Sequence, residues 1–80
     1  MKFDVVGSGC RKCIEMEKRV REAVSKLGLD AEIEHIYDVN RIMELGIITT
    51  PALMMDGKII LSGMLPTVDY LVSLIKSKAA

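Results

Sequence analysis

Two cysteines stand three positions apart in the segment GSGCRKCIEM, residues 7–16, and they are the only cysteines in the chain. Arg11 and Lys12 lie between Cys10 and Cys13. Thiols at this spacing can close a disulfide, bind a soft metal ion such as Cu(I) or Zn²⁺, or exchange disulfides with another protein. Each of these uses needs a different setting, so the elements around the pair decide among them.

A purely structural disulfide is the weakest of the three interpretations. Closing a loop of four residues stabilises the fold by roughly 2 kcal/mol in the chain-entropy model, near the low end of the range. The first residues, MKFDVVGSG, contain too short an apolar run for a signal peptide, and no apolar stretch is long enough to span a bilayer. We therefore expect a cytoplasmic protein, and cytoplasmic disulfides are usually transient.

The composition predicts one globular domain over residues 1–80 and excludes some partners. Basic and acidic residues number 11 each, so no net charge attracts nucleic acid or an anionic membrane. Phe3, Tyr37 and Tyr70 are the aromatic residues, and none lies in a basic cluster that could stack bases. We expect partners that are proteins, with no nucleic acid and no membrane among them.

The hydrophobic pattern predicts an α/β fold with the element order β-α-β-α-β-β-α. The predicted elements are a strand at 2–6, a helix at 13–27, a strand at 30–38, a helix at 39–46, a hairpin at 52–63 around Asp56-Gly57, and a helix at 66–80. A long helix between the first two strands makes them parallel, and the hairpin continues the sheet in antiparallel fashion. The result is a mixed four-stranded sheet covered by helices.

This order gives the two cysteines unequal positions. Cys10 follows the first strand and precedes the first helix, where unpaired backbone N–H groups and the helix dipole stabilise an anion. Arg11 and Lys12 add positive charge that stabilises a thiolate. Cys13 lies one turn further along, on the apolar stripe of the helix. We therefore predict that Cys10 attacks a disulfide and that Cys13 resolves the product.

The segments CRKC at 10–13 and TTPA at 49–52 together resemble the thioredoxin and glutaredoxin superfamily, above all its small archaeal and bacterial members. The resemblance extends over nearly the whole chain in element order. It implies a thioredoxin-like fold and a protein dithiol–disulfide oxidoreductase that needs no cofactor. It also implies disulfide-containing client proteins, a reductase that supplies electrons, and a monomer.

The same resemblance assigns roles to further residues. Pro51 corresponds to the cis-proline that faces the cysteine pair, and Thr50 offers its backbone to the client. Gly63 and Met64 would line the contact surface. Asp4 stands six residues before Cys10, where thioredoxins hold a buried aspartate that exchanges protons with the resolving cysteine.

Some residues depart from the patterns of the superfamily. Gly9, Arg11 and Lys12 replace the tryptophan and the Gly-Pro that thioredoxins usually carry around and inside the pair. The segment SGMLPTVD has Gly63 and Asp69 at a spacing that differs from the glutathione-binding motif of glutaredoxins. The sequence therefore leaves open which reductant restores the dithiol.

The alternative function is a small Cu(I)- or Zn²⁺-binding module. Copper-chaperone domains also present CxxC after a first strand, but they usually carry Met two places before it, where this chain has Ser8. They also follow the second strand with another strand, whereas 39–46 reads as a helix. A closed zinc site takes four ligands, and His35 is the one histidine. Because His35 is in phase with Ile33 and Tyr37, we predict a half-buried sheet residue.

Overall fold

The computed structural model describes residues 1–7, 9 and 11–79. Its elements, in chain order, are β1 (Lys2–Val6), α1 (Arg11–Leu27), β2 (Glu32–Ile36), α2 (Val39–Glu44), β3 (Ala52–Met55), β4 (Lys58–Ser62) and α3 (Val68–Ala79). The strands form one sheet in the order β2-β1-β3-β4. β1 is parallel to β2 and antiparallel to β3, and β4 is antiparallel to β3. The predicted element order and the mixed four-stranded sheet are confirmed.

The helix α1 buries one stripe of side chains and ends at a glycine. The buried residues are Cys13, Met16, Val20, Ala23 and Val24. Gly28 has φ +66°, a conformation that costs glycine little. The N–H of Leu29 donates to the carbonyl of Val24 at 3.2 Å, which satisfies a backbone acceptor in the last turn. The spacing of three and four residues in the sequence therefore predicted the buried face of this helix.

The sheet separates two hydrophobic cores because alternate side chains of a strand point to opposite faces. Phe3 and Val5 of β1 pack in the core that α1 and α3 cover. Val6 packs in a smaller core with Ile42 of α2 and with Ile47. Among the residues described, no helix is both long enough and apolar enough to cross a membrane.

The turns hold their predicted residues, with one correction at α3. Asp56 and Gly57 both have positive φ, 50° and 85°, as a two-residue hairpin turn requires. The side chain of Asp38 accepts the N–H of Asn40 at 3.0 Å and caps α2. The prediction that Pro66 lies in the first turn of α3 is wrong. Thr67 is the cap, since its Oγ1 accepts the N–H of Tyr70 at 3.1 Å.

Several element boundaries also differ from the predicted ones. The helix predicted from residue 13 begins at Arg11. The strand predicted at 30–38 is limited to Glu32–Ile36, and the helix predicted at 39–46 ends at Glu44. Leu45 follows as the C-cap of α2, and Gly46 has φ +75°. The ends of these elements are set by hydrogen bonds that the hydrophobic pattern does not contain.

Candidate active site

The first part of the site is Gly7, which lies near Cys13 and Thr50. The N–H of Gly7 donates to the carbonyl of Ile36 at 3.0 Å and extends the pairing of β1 with β2 by one residue. A Cβ on Gly7 would overlap the sulfur of Cys13 and lie 3.9 Å from the Cβ of Thr50. The side chain of Cys13 is fully buried. The backbone at the end of β1 therefore lies directly against this sulfur, and only glycine leaves room for it.

The second part is the turn that begins β3. The Thr50–Pro51 peptide bond is cis, as the resemblance implied. The carbonyl of Pro51 accepts the N–H of Gly63 at 3.0 Å. Gly63 has φ +76°, and a Cβ there would lie 3.0 Å from Oγ1 of Thr49. The segment 49–51 and Gly63 are thus held together beside Gly7, although they are distant in sequence.

Exposed apolar side chains lie next to Cys13, Thr49 and Gly63 in the sequence. Ile48 is 96% exposed and stands just before Thr49, while Met64 is 43% exposed and follows Gly63. Ile14, which follows Cys13, is 55% exposed. Exposure of apolar side chains to water is unfavourable in free energy, and a bound partner would relieve it. These three side chains are therefore a candidate contact surface. Gly63 and Met64 are exposed as predicted for that surface, and so is Thr50, whereas Pro51 is buried.

Cys10 and Ser8 lie outside the described residues. The predictions that rest on them, namely the role of Cys10 as nucleophile and the argument from Ser8 against a metal site, stay sequence-based. Arg11 and Lys12 form the start of α1, and both are exposed. The basic charge that was predicted to stabilise a thiolate therefore lies at the N-terminal end of this helix.

Asp4 lies on the face of β1 opposite to Gly7. It is buried, as the resemblance implied, and it pairs in register with Glu34 and Met54. Its Oδ1 lies 3.8 Å from the Nζ of Lys2 and has no hydrogen-bond partner among the residues that the structure describes. Phe3, Val5 and Gly7 alternate with Asp4, so the carboxyl points to the α2 side and the sulfur of Cys13 lies on the α1 side.

Burial raises the pKa of the Asp4 carboxyl, because removal from water disfavours its charged form. The charge of Lys2 opposes this rise, and a hydrogen bond with Glu34 adds to it. The pKa of Glu34 is lowered, chiefly by a hydrogen bond from Lys2, whose Nζ lies 3.1 Å from Oε2. Asp4 and Glu34 are therefore neighbouring carboxyl groups, and the buried Asp4 keeps its proton to a higher pH than Glu34 does.

His35 has a role that the sequence did not indicate. Its side chain is only 5% exposed, and its Nδ1 lies 2.8 Å from Oε1 of Glu17. Its Nε2 lies 3.3 Å from the carbonyl oxygen of Gly7. The ring of Tyr37 stacks on the imidazole with centroids 4.0 Å apart. The prediction of a sheet residue in phase with Ile33 is correct, but the contacts with α1 and with Gly7 join residues far apart in sequence.

Comparisons of the sequence with known proteins found a matching family model and related proteins. The family model described as thioredoxin domain matches residues 1–76. A thioredoxin of Methanothermobacter thermautotrophicus is 43% identical over 63 residues, which cover 79% of this chain and 82% of that protein. A thioredoxin of Methanocaldococcus jannaschii is 38% identical over 73 residues, which cover 91% of this chain and 84% of that protein.

Proposed function

Because the chain belongs to the thioredoxin family of thiol–disulfide oxidoreductases, we propose that Cys10 and Cys13 form its redox-active pair. Its substrates are disulfides of client proteins, which it reduces. A separate reductase returns the electrons. The protein acts as a cytoplasmic monomer and uses no bound cofactor.

The reaction has two exchange steps. The thiolate of Cys10 attacks one sulfur of the client disulfide, a mixed disulfide forms, and the other client sulfur leaves as a thiolate that takes up a proton. Cys13 then loses its proton and attacks the sulfur of Cys10, which releases the second client thiolate. The client gains two electrons and two protons, and the protein ends with a Cys10–Cys13 disulfide.

The observation that carries the proposal is that Gly7 lies near both Cys13 and Thr50, since a Cβ on Gly7 would overlap the sulfur of Cys13 and lie 3.9 Å from the Cβ of Thr50. The sulfur of Cys13 and the Thr50–Pro51 turn both lie near Gly7, and Thr50 is exposed, which supports the pairing of a client strand with the backbone of Thr50. Ile48 and Met64 flank this turn and offer the client apolar contacts. Client contact at this position would hold a scissile disulfide within reach of the cysteine pair.

Asp4 is the proposed proton-exchange partner of Cys13. Its raised pKa lets the carboxyl keep a proton at a higher pH than an ordinary aspartate. Asp4 faces α2, and the sulfur of Cys13 lies beside Gly7 on the other face of β1. Asp4→Asn should therefore slow the second exchange step and leave the attack by Cys10 unchanged.

The test of the proposal is a pair of single variants. Cys13→Ser leaves the attacking thiol without a resolving partner, so we expect covalent complexes with an oxidised client such as insulin. Cys10→Ser should form almost none, since Cys13 is buried. Non-reducing electrophoresis measures the complexes, and reduction of insulin disulfides by the wild-type protein with a dithiol reductant measures turnover.

Equal behaviour of the two variants would refute this division of roles. In a Cu(I) or Zn²⁺ site the two thiolates are near-equivalent ligands, so each substitution should lower metal affinity alike and neither should trap a client. Titration of the reduced protein with both metals supplies that comparison. A wild-type protein that binds metal tightly and reduces no insulin would favour the metal-binding alternative.

A further inference from the structure

We propose that His35 and Tyr37 are positioning residues for the loop that carries the attacking cysteine. This inference rests on the proposed function, because it takes Cys10 as that cysteine. The loop between β1 and α1 spans residues 7–10, and the structure describes two of its members, Gly7 and Gly9. Gly7 accepts a hydrogen bond from the ring of His35, and Gly9 lies next to the ring of Tyr37.

The first contact is the hydrogen bond from His35 to the backbone of Gly7. Nε2 of the imidazole lies 3.3 Å from the carbonyl oxygen of Gly7. On its other side, Gly7 leaves no room for a Cβ beside the sulfur of Cys13. The backbone of Gly7 therefore accepts a hydrogen bond from the imidazole and packs against the resolving cysteine, which fixes the direction of its carbonyl at the start of the loop.

The second contact is between Tyr37 and Gly9. A Cβ on Gly9 would lie 3.4 Å from Cδ1 and 3.5 Å from Cε1 of the tyrosine ring. Gly9 has φ +88°, which a residue with a Cβ rarely adopts. Tyr37 also stacks on His35 at an interplanar angle of 10°. The stacked rings thus lie beside both of the described residues of the loop.

Charged groups on α1 fix the imidazole in turn. Oε1 of Glu17 lies 2.8 Å from Nδ1 of His35, and Oε2 of the same carboxylate accepts from Nε of Arg21 at 3.2 Å. The hydrogen bond from His35 is the main cause of the lowered pKa of Glu17, so this carboxylate stays ionised at neutral pH. The carbonyl of Gly7 can only accept, so Nε2 is the donor in the contact with Gly7.

The contacts of His35 and Tyr37 with the loop affect how well a thiolate is stabilised at the start of α1. The anion is stabilised by N–H groups at the start of a helix only if the loop holds the sulfur in the right place. A ring that fixes the preceding backbone keeps that geometry without contact with the client. His35 and Tyr37 therefore set the reactivity of the attacking thiol through the loop rather than by touching the reacting atoms.

The experiment measures alkylation by iodoacetamide against pH in a Cys13→Ser background, where Cys10 is the only thiol. His35→Asn keeps a donor near the position of Nδ1 and loses the bond to Gly7. We expect its alkylation rate at pH 7 to fall about tenfold, the effect of one lost hydrogen bond, with the profile shifted to higher pH. His35→Gln keeps a donor near the position of Nε2 and should retain most of the wild-type rate.

The two tyrosines provide a matched pair of variants. Tyr37→Leu removes the ring from Gly9 and should also lower the rate and shift the profile, while Tyr37→Phe should not. Tyr70 of α3 is similarly exposed, 47% against 54% for Tyr37, so Tyr70→Leu is the control and should leave the profile unchanged. Because Tyr37 is exposed, its variants keep the test valid if His35→Asn does not fold.

The outcomes separate this inference from the proposed function. In one outcome, the wild-type protein reduces insulin while the folded His35→Asn and Tyr37→Leu variants have the same alkylation profile as the Cys13→Ser background. That result overturns the inference, and the proposed function stands. Equal losses in His35→Asn and His35→Gln would also overturn it, since a structural role alone predicts them. A wild-type protein that reduces no insulin refutes the function instead, whatever the profiles show.

Discussion

At the scale of single residues, the space beside the Cys13 sulfur is the tightest feature of the site. A Cβ on Gly7 would lie 2.9 Å from the Cβ of Cys13 and overlap its sulfur. The neighbouring atoms belong to Cys13, a buried residue in the first turn of α1, and to Thr50, which lies just before β3. A methyl group is therefore accommodated only if α1 shifts away from the sheet.

Gly7→Ala should destabilise the fold by about 1–3 kcal/mol, the usual cost of overpacking a filled core. Urea unfolding measures this loss. Combining it with Cys13→Ala should recover part of the loss, because the overlapping sulfur is then absent. Strictly additive losses in the double variant would mean that the sulfur is not what excludes the methyl group.

Asp4 gives a prediction for stability against pH. Its folded-state pKa is raised above the ordinary value of 3.8, so the folded state holds this proton more tightly than the unfolded chain. The stability that results is present below pH 3.8 and is lost as the pH rises through the folded-state pKa. Asp4→Asn, which cannot ionise, should lack that decline.

At pH 7 we expect Asp4→Asn to be the more stable protein by about 1 kcal/mol, the scale of one unsatisfied buried polar group. Thermal unfolding from pH 3 to pH 8 measures the difference, which should grow with pH. Glu34→Gln is the control, since the pKa of Glu34 is lowered and its neutralisation removes a favourable contact with Lys2. A difference that is constant across this pH range would contradict the assignment.

At the scale of elements, the sequence predicted the features that depend on hydrophobic periodicity. It missed the contacts that form when a helix packs on the sheet. The stripe from Cys13 to Val24 and the alternation in β2 both repeat at a fixed period, so they are visible in the chain. The contacts of His35 with Glu17 and Gly7 join three elements, and their geometry exists only after α1 packs on the sheet.

The start of α3 shows the same limit on a smaller scale. Pro66 and Thr67 are both acceptable near a helix N-terminus, and only the hydrogen bond from the N–H of Tyr70 to Thr67 decides between them. The carbonyl of Pro66 instead accepts a hydrogen bond from Nη1 of Arg19 at 2.8 Å. The loop before α3 is therefore tied to α1, which no local pattern could predict.

Thr67→Ala should lower the free energy of unfolding by about 1 kcal/mol, because the N–H of Tyr70 loses its acceptor. Thr67→Ser keeps the hydroxyl group and should stay within a few tenths of a kcal/mol of the wild type. Chemical denaturation of both variants makes the comparison. Equal losses would assign the effect to the methyl group of threonine rather than to the cap.

At the scale of the whole molecule, stability depends on two cores of unequal size on the two faces of one sheet. The larger core joins α1 and α3, where Leu71 and Ile75 are fully buried. The smaller one is closed by α2, a helix of 6 residues. A domain of this size buries about 60% of the surface of its unfolded chain. Its stability is therefore small, and the loss of one large side chain from the larger core should lower it markedly.

Ile75→Ala should cost about 2–5 kcal/mol, the range for removing a large aliphatic side chain from a filled core. Because small domains are stable by about 5–15 kcal/mol, this variant should unfold at a much lower temperature or denaturant concentration. Tyr70→Ala on the exposed side of α3 is the control and should change stability little. Similar losses in both variants would mean that α3 is not anchored by Ile75.

The central position of β1 has a consequence during synthesis. Phe3 is paired with Ile33 on one side and with Met55 on the other, so the strand made first waits for the strand made third. At ribosomal rates of roughly 5–20 residues per second, that interval lasts roughly 3–10 s. Throughout it, one backbone edge of the apolar segment KFDVV is open to pairing with another nascent chain. The speed of translation through the codons before Met55 therefore sets how long this edge is exposed.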